Sequence, residues 1–147
     1  MFSKPQSNMQ SGPIKLIFEK LIEVEPSAEL VPYYHFKIAI DNGTIVGHIN
    51  FKVGDTQHIR RCVGHIGCEI LQDYRGNNYS YFACNAVRPF IRTIYDKVIL
   101  TSDPNNMASI KIIKKLNAKF LNEIIVPAHD PSYKSGARRK KRYEWRP

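Results

Sequence analysis

A short polar segment between a strand-like run and a helix-like run is the first place where this sequence could do chemistry. The segment is residues 75–80, within ILQDYRGNNYSYFACNAVRPFI at residues 70–91. A helix N-terminus carries unpaired N–H groups and about half a positive charge. Backbone amides placed there suit an anion, and a pyrophosphate in particular. The alternative is a plain connection between a strand and a helix, which is the more common use of such a stretch.

Other chemical motifs are missing from the sequence. Neither common phosphate loop, G-x-x-x-x-G-K-[ST] or G-x-G-x-x-G, occurs. Cys62, Cys68 and Cys84 have no metal-binding spacing, so we expect free thiols in a reducing cytoplasm. The five histidines are scattered and accompany no H-E-x-x-H, so we expect no metal site.

The composition indicates one globular domain. A chain of 147 residues is long enough to bury a self-sufficient core. No apolar run approaches the roughly 20 residues that a membrane helix needs, so we expect no membrane partner and a cytoplasmic location. Residues 1–12 lack an apolar core and are expected to form a disordered leader, with a single domain at residues 13–147.

The first half of the chain has the period of strands. Alternating apolar residues predict strands at residues 14–24, 33–40, 45–54 and 63–71, and a helix is the alternative for residues 14–24. The Asn42-Gly43 pair predicts a tight hairpin, because it accepts positive φ angles. Residues 25–32 are expected to form a loop or one helical turn, and residues 55–62 a connecting loop.

The second half combines helices with strands. Apolar spacing predicts a helix at about residues 78–95, kinked or loosened at Pro89, and a second helix that ends at Asn117. Further strands are predicted at residues 97–101, 118–127 and 140–145, with a long loop at residues 128–137. We therefore expect an α+β (mixed α/β) fold. Its mixed, mostly antiparallel twisted sheet would have about six to seven strands flanked by helices, with one strand–helix–strand crossover.

The positive charge is concentrated at the C-terminus. The formal charge is +9, and residues 134–147 hold seven Lys or Arg against one Glu. Basic residues interleaved with Tyr143 and Trp145 would suit phosphate contacts and base stacking, which is typical of a nucleic-acid-binding protein. The alternative is a charged strand whose alternation places both aromatic rings in the core. We favour the second reading and disfavour nucleic acid as a partner.

Two segments together resemble the GNAT superfamily of acetyl-CoA-dependent acyltransferases. The loop resembles the family's Q/R-x-x-G-x-G/A pyrophosphate loop, with Arg75, Asn78 and Ser80 at the three marked positions. TSDPNNMASIKIIKKLNAKF, at residues 101–120, is similar to the family's N-x-x-A-S…K-L-G-A-K-F helix. Its matching residues are Asn106, Ala108, Ser109, Lys115, Leu116, Ala118, Lys119 and Phe120. The resemblance covers residues 45–126, and the C-terminal Y-x-x-G…K-x-R-Y-x-W pattern resembles the ending of a bacterial subgroup of unassigned substrate.

The sequence departs from the family pattern at several positions. Asn78 replaces a Gly of the loop, and Asn117 replaces the usual Gly at the helix end. Ile113 replaces the Tyr with which many members protonate the leaving thiolate. The segment between residues 24 and 33 is short for the family's usual pair of helices, so the acceptor side is expected to be open.

The resemblance implies direct transfer of an acetyl group from acetyl-CoA to a primary amine of a small molecule or protein. Glu69 is the candidate base for the amine proton, and a surface-facing Glu is the equal alternative. Tyr133 is the candidate acid for the thiolate, because the loop that carries it could fold over the thioester. Backbone amides near Ile70 and Leu71 are expected to hold the pantetheine and the carbonyl oxygen.

The remaining candidates concern the cosubstrate. The amides of residues 76–80 would bind the pyrophosphate, Asn106 the pantetheine, and Lys111 and Lys114 the adenosine 3′-phosphate. Asn106 could equally serve as a helix N-cap, and the two lysines could simply be solvated. The full set of predicted cofactor-binding residues is Ile70, Leu71, Arg75, Gly76, Asn77, Asn78, Tyr79, Ser80, Asn106, Ser109, Lys111 and Lys114.

Two further expectations remain open at this point. A protein that binds CoA but has lost catalysis is the main alternative to an enzyme, and Ile113 and Asn78 support it. The C-terminal strands are a candidate surface for pairing two copies into a homodimer.

Overall fold

Two antiparallel sheets make up the β-structure of the protein, as seen in a computed structural model that describes residues 2–25 and 30–147. The first sheet contains, in chain order, β1 (Gln10–Ser11), β2 (Ile14–Ile22), β3 (Tyr33–Ile40), β4 (Ile45–Lys52) and β5 (Ile66–Ile70). The second contains β6 (Val98–Ser102), β7 (Lys119–Ile125) and β8 (Arg139–Trp145), in the spatial order β6-β8-β7. The predicted α+β class is confirmed, with more strands than the sequence suggested.

In residues 2–25 and 30–147, three α-helices and two shorter helical turns connect the strands. The α-helices are α1 (Tyr79–Arg92), α2 (Met107–Lys115) and α3 (Pro131–Lys134). A π-helical turn occupies His58–Val63 and a 3₁₀ turn occupies Gln72–Tyr74. The loops expected at residues 55–62 and 128–137 therefore each contain a helical turn.

The apolar face of α1 packs on the first sheet. Phe90 lies at its centre, with its ring centroid 4.8 Å from that of Tyr34 and 6.0 Å from that of Phe51. Each such fully buried side chain contributes about 1.5–3 kcal/mol. Pro89 is exposed, and α1 continues beyond it to Arg92. One cluster of buried side chains draws on both sheets.

The two sheets meet where β5 and β6 begin. The N–H of His65 donates to the carbonyl of Ile99 at 2.8 Å, and the N–H of Ile99 donates to Nδ1 of His65 at 3.0 Å. Beyond this point β5 and β6 belong to different sheets. The predicted strand–helix–strand unit is thus present as β5–α1–β6, but its two strands part rather than pair.

Gly64 allows this junction to be tight. A Cβ at this position would lie 2.7 Å from the carbonyl oxygen of Ile99, and φ is +70°. A larger residue would therefore meet both a backbone clash and the steric cost of positive φ.

Part of the N-terminal segment packs against the first sheet. Met9 is buried in the core, and its carbonyl accepts from the N–H of Leu16 at 2.9 Å. The hydroxyl of Tyr34 donates to the carbonyl of Ser3 at 2.6 Å. Burial of Met9 and the short β1–β2 pairing explain why this polar stretch is held.

Local turn signals are reproduced. Gly43 has φ +84° in the β3–β4 turn, and Asn117 has φ +62° after α2, as the sequence predicted. The loop expected at residues 25–32 lies partly outside the described residues.

The C-terminal strands differ in their ability to pair with a second copy of the chain. β8 has a neighbour on each side, so it cannot pair with a second copy, whereas β7 is an edge strand.

Candidate active site

The loop between β5 and α1 has the backbone geometry of an anion cradle. Gly76 has φ +89° and Asn78 has φ +60°, so two residues of the short loop are in the left-handed region. Successive N–H groups around such residues converge on a concave surface that suits an anion. Asn78 tolerates this conformation better than most side chains.

The N-terminus of α1 differs from that of α2 in one respect. The side chain of Asn106 accepts a hydrogen bond from the N–H of Ser109 at 3.1 Å, which is the capping role given as its alternative. Asn78, at the corresponding position of α1, makes no side-chain capping bond to any residue in the described ranges. The first N–H groups of α1 are therefore left for another acceptor.

Arg75 braces the loop from within. Its Nε donates to the carbonyl of Ile70 at 2.8 Å, while the residue as a whole is exposed. Asn77 adds a second brace, because its amide donates to the carbonyl of Tyr74 at 3.0 Å. Arg75 would suit either a phosphate contact or a role in bracing the loop. The hydrogen bond to Ile70 shows that it braces the loop.

The free edge of β5 faces the gap between the sheets. Leu71 N–H donates to Val46 at 2.8 Å, and Lys52 N–H donates to His65 at 2.7 Å, so the His65 carbonyl and the backbone groups of residues 67, 69 and 71 are directed at β4. Since hydrogen-bonding direction alternates along an antiparallel strand, the backbone groups of residues 66, 68 and 70 point the other way. The amide of Leu71 is therefore committed to β4, which corrects its predicted role, and the amide of Ile70 faces the gap.

Glu69 lies on the exposed outer face of the first sheet. It stands opposite His48 in the ladder, and the His48 ring lies 5.3 Å from that of His35. His35 in turn contacts Asn50 at 2.6 Å and Glu19 at 3.4 Å. A Cβ on Gly47 would come within 2.2 Å of the carbonyl oxygen of Glu69, so only glycine lets β4 approach here.

No cysteine near the gap is a ready nucleophile. Cys68 is directed between β5 and α1, and its thiol donates to the hydroxyl of Ser80 at 3.5 Å. Burial raises the pKa of Cys68 to about 11 and that of Cys62 to about 11, and it also raises the pKa of Cys84. These thiols stay protonated at neutral pH, and all three are free.

The remaining predicted cofactor residues flank the two helix starts. Tyr79 and Ser80 form the first turn of α1 and are half-buried, and Ser109 lies in the first turn of α2. Lys111 and Lys114 are exposed on α2. Their neighbour Lys115 links the two helices, since its Nζ lies 4.3 Å from the centroid of the Tyr81 ring.

Ile113 is buried in the main core, with 5% of its surface exposed. It shares the inner face of α2 with Ile110. Its place in the core gives this aliphatic side chain a packing role.

Comparison with known proteins decides which family this architecture represents. The sequence matches the model of the acetyltransferase (GNAT) domain over residues 15–119. The chain belongs to the GNAT family. The resemblance noted in the sequence is thereby confirmed, and acetyl-CoA is the cosubstrate expected for this family.

Solved GNAT structures share the fold at low sequence identity. An acetyltransferase of the GNAT family from Bacillus anthracis is 19% identical, with a TM-score of 0.60, and the match covers 76% of this chain and 65% of that one. RimL, a ribosomal L7/L12 alpha-N-protein acetyltransferase in complex with coenzyme A, is 10% identical, with a TM-score of 0.60 and coverage of 78% and 62%. MccE, a microcin C7 self-immunity acetyltransferase in complex with acetyl-CoA and AMP, is 12% identical, with a TM-score of 0.57 and coverage of 78% and 61%.

These likenesses concern the fold. The GNAT chain described here spans less than two thirds of the length of each of these three structures. A search of the curated protein sequences gave no significant match.

Tyr133, the predicted acid, lies on α3. Its ring is half-buried in a small cluster with Cys62, Ile124 and Val126, separate from the main core. The guanidinium carbon of Arg138 lies 3.7 Å from the centroid of this ring. The structure therefore gives the ring a packing partner, while the role of the hydroxyl remains a prediction.

A groove of about 1030 Å³ runs between the start of α2 and the α3 region. Asn105, Asn106, Arg138 and Lys140 are among the residues that line it. His58 also lines the groove. Because Asn106 belongs to both this groove and the N-terminus of α2, the groove adjoins the candidate cosubstrate site.

The residues that hold this groove together were missed in the sequence. Asp130 caps α3 by accepting from the N–H of Ser132 at 2.8 Å, and it contacts Nδ1 of His58 at 2.8 Å. Burial raises the pKa of Asp130, but these hydrogen bonds outweigh that effect and lower it overall. The Asp130-Pro131 pair is a helix-start signal that could have revealed α3.

The basic C-terminal segment forms β8, the middle strand of the second sheet. Tyr143 and Trp145 are 3% and 1% exposed, so neither ring is available to stack on a base. Arg139 pairs with Glu123, and Lys140 pairs with Asp103 at 2.9 Å. These pairings favour the structural alternative over nucleic-acid binding.

Neither a metal site nor a membrane-spanning helix is found in the described residues. In the ranges that the structure describes, no three His, Cys, Asp or Glu side chains come together as ligands for a metal ion. Of the helices formed by residues 2–25 and 30–147, none has the length and apolar character needed to cross a membrane.

Proposed function

We propose that this protein is an N-acetyltransferase that moves the acetyl group of acetyl-CoA directly to a primary amine of a small molecule or a protein. One observation carries the proposal: α1 of this GNAT domain begins at an uncapped, left-handed Asn78, at the end of the loop that follows the edge strand β5. The pyrophosphate would bind the amides of residues 76–80, and the pantetheine would lie in the gap beside Ile70. Lys111 and Lys114 would approach the adenosine 3′-phosphate.

The chemical step follows from the groups available near the gap. The neutral amine nitrogen attacks the thioester carbonyl carbon, the C–S bond breaks, and the thiolate leaves and takes up a proton. The amine proton passes to Glu69, directly or through water. The raised pKa values of the cysteines favour direct transfer over an acetyl-cysteine intermediate, because a protonated thiol is a poor nucleophile.

The test is a screen of amine acceptors with acetyl-CoA, followed by release of free thiol. We expect at least one acceptor class to give sustained release, and Glu69→Gln to slow it by about 10²-fold or more with little change in CoA affinity. Glu19→Gln is the matched control, since Glu19 also lies on the outer face of the first sheet. Equal activity of both variants would remove Glu69 from the mechanism.

The second candidate is a GNAT domain that binds CoA without catalysis. The buried aliphatic Ile113, at the position where many members carry a Tyr, favours it. Saturable CoA binding combined with no acetylation of any amine in the screen would establish this alternative. Absence of CoA binding at millimolar concentration would remove both candidates.

Assembly and location complete the proposal. β7 is an edge strand of the second sheet and exposes Phe120 and Ile125. We therefore propose it as the pairing surface of a homodimer. Light scattering of the purified protein tests this. The three free cysteines support a reducing compartment, which we propose to be the cytoplasm.

A further inference from the structure

We propose that the acceptor of this acetyltransferase carries a carboxylate, and that Arg138 binds it in the groove beside α2. The proposal rests on the proposed function, because it names the acceptor class of the same reaction. The groove has room for an acceptor, at about 1030 Å³, and its lining includes Asn106 of the candidate cosubstrate site.

Arg138 is fixed in place with one edge of its guanidinium open. Nη1 donates to the carbonyls of Tyr133 at 2.9 Å and Ala137 at 3.1 Å, which uses both of its hydrogens. The guanidinium also stacks on the Tyr133 ring at 3.7 Å. The Nε–Nη2 edge has no acceptor among residues 2–25 and 30–147. That edge is a planar fork that matches the two oxygens of a carboxylate.

The other cations of the groove already have carboxylate partners. Arg139 pairs with Glu123, and Lys140 pairs with Asp103 at 2.9 Å. Arg138 donates only to backbone carbonyls within the described part of the chain. Among the described residues that line the groove, Arg138 is therefore the cation without a carboxylate partner, and it is already oriented to bind an incoming anion.

The segment that carries Arg138 is held from both sides. Asp130 caps α3 through the N–H of Ser132 and contacts His58 of the π-helical turn, both at 2.8 Å. The N–H of Ala137 donates to the carbonyl of Ser132 at 2.9 Å, which closes the loop just before Arg138. A donor on a pre-ordered segment loses little conformational entropy when it binds.

Matched acceptor pairs test the proposal. The probes are the free amino acids and the corresponding amino acid amides, which replace the carboxylate by a neutral carboxamide, together with ethanolamine phosphate and ethanolamine. We expect kcat/KM of the wild type to favour the carboxylate member by about tenfold or more. Arg138→Gln should lower kcat/KM for the carboxylate member more than for its neutral partner, so that the preference falls to near one. Arg92→Gln, an exposed substitution at the last residue of α1, should keep the preference.

The outcomes separate this inference from the proposed function. Equal rates on both members of each pair, or an equal loss on both in Arg138→Gln, would overturn the carboxylate site while leaving acetyl transfer intact. A preference for the phosphate over the carboxylates would overturn the choice of anion. If no probe is acetylated, calorimetric titration of the same amino acids into the CoA-bound protein decides the matter. Binding that is lost in Arg138→Gln supports the site, and no binding overturns it.

Discussion

The backbone N–H of Ile99 donates to a side chain, Nδ1 of His65, at 3.0 Å. A neighbouring strand would normally offer a carbonyl oxygen at such a point. The opposite nitrogen, Nε2, lies 3.1 Å from the carbonyl of Gly54. Since Nδ1 accepts, the ring proton is on Nε2 and is donated to Gly54. The neutral imidazole thus ends the contact between β5 and β6 and marks where the two strands part.

Protonation of His65 should therefore loosen the junction. Burial lowers the pKa of His65 below its ordinary value, despite its backbone hydrogen bonds. The unfolded chain binds this proton below about pH 6.5, while the folded chain resists it. The contribution to stability is complete above that pH and is lost as the pH falls below it. We expect the free energy of unfolding, from urea titrations, to fall between pH 7 and pH 5.

Variants isolate this residue from the other histidines. His65→Leu leaves the Ile99 N–H without its acceptor and should cost about 1–3 kcal/mol at pH 7. Because this variant has no imidazole at position 65, its free energy of unfolding should fall less between pH 7 and pH 5 than that of the wild type. His129→Leu is the control, because His129 is exposed. An identical pH dependence in wild type and His65→Leu would contradict the assignment.

Asn78 gives a prediction about cosubstrate affinity. Its φ of +60° suits glycine at least as well as asparagine, so Asn78→Gly should bind CoA as tightly as the wild type or more tightly. Asn78→Ala should bind more weakly, because alanine pays about 1–2 kcal/mol in the left-handed region. Calorimetric titration with CoA measures both. Tighter binding by the alanine variant would show that the loop changes conformation on binding.

Arg75 should contribute through the loop that it braces. Loss of the Nε hydrogen bond to Ile70 in Arg75→Ala should weaken CoA binding by about 1–3 kcal/mol. Arg92→Ala removes a similar charge from the far end of α1 and should leave the dissociation constant unchanged. If both variants bind CoA alike, the brace has no part in cosubstrate binding.

Tyr133 can be tested without disturbing its packing. Tyr133→Phe keeps the ring that stacks on Arg138 and removes only the hydroxyl. If that hydroxyl protonates the thiolate, the turnover number should fall about 10-fold or more while CoA affinity stays unchanged. Full turnover on an identified acceptor would leave solvent as the proton donor.

Ile113→Ala serves as a contrasting variant. It should lower the free energy of unfolding by about 2–5 kcal/mol, because Ile113 is buried. The pH profile of turnover should not change, since the side chain has no titratable group. Urea titration and the pH profile measure the two effects separately.

Local features of this fold could be predicted from the sequence because local chemistry decides them. Gly43, Asn78 and Asn117 adopt the positive φ angles that their residue types allow. The apolar spacing of α1 and α2 likewise fixes which faces they bury. The connection between β5 and α1 could be predicted from the sequence for the same reason.

Features that depend on distant partners could not be predicted. The side chain of His65 replaces a carbonyl only because Ile99 comes to lie beside it, 34 positions later. The Leu71 N–H donates to β4 because the strand register places the Val46 carbonyl opposite it. The groove required α3, whose link to His58 joins residues 72 positions apart. Neither periodicity nor residue type records such pairings.

The spatial order β6-β8-β7 has a consequence for biosynthesis. Within the described residues β7 pairs only with β8, and β8 follows it in the chain, so the second sheet cannot form on the ribosome until β8 has emerged. Translation adds about 5–20 residues per second, so β7 waits unpaired with Phe120, Leu121 and Ile125 accessible. This interval is when the nascent chain is most exposed to aggregation, and when a chaperone would have the most to shield.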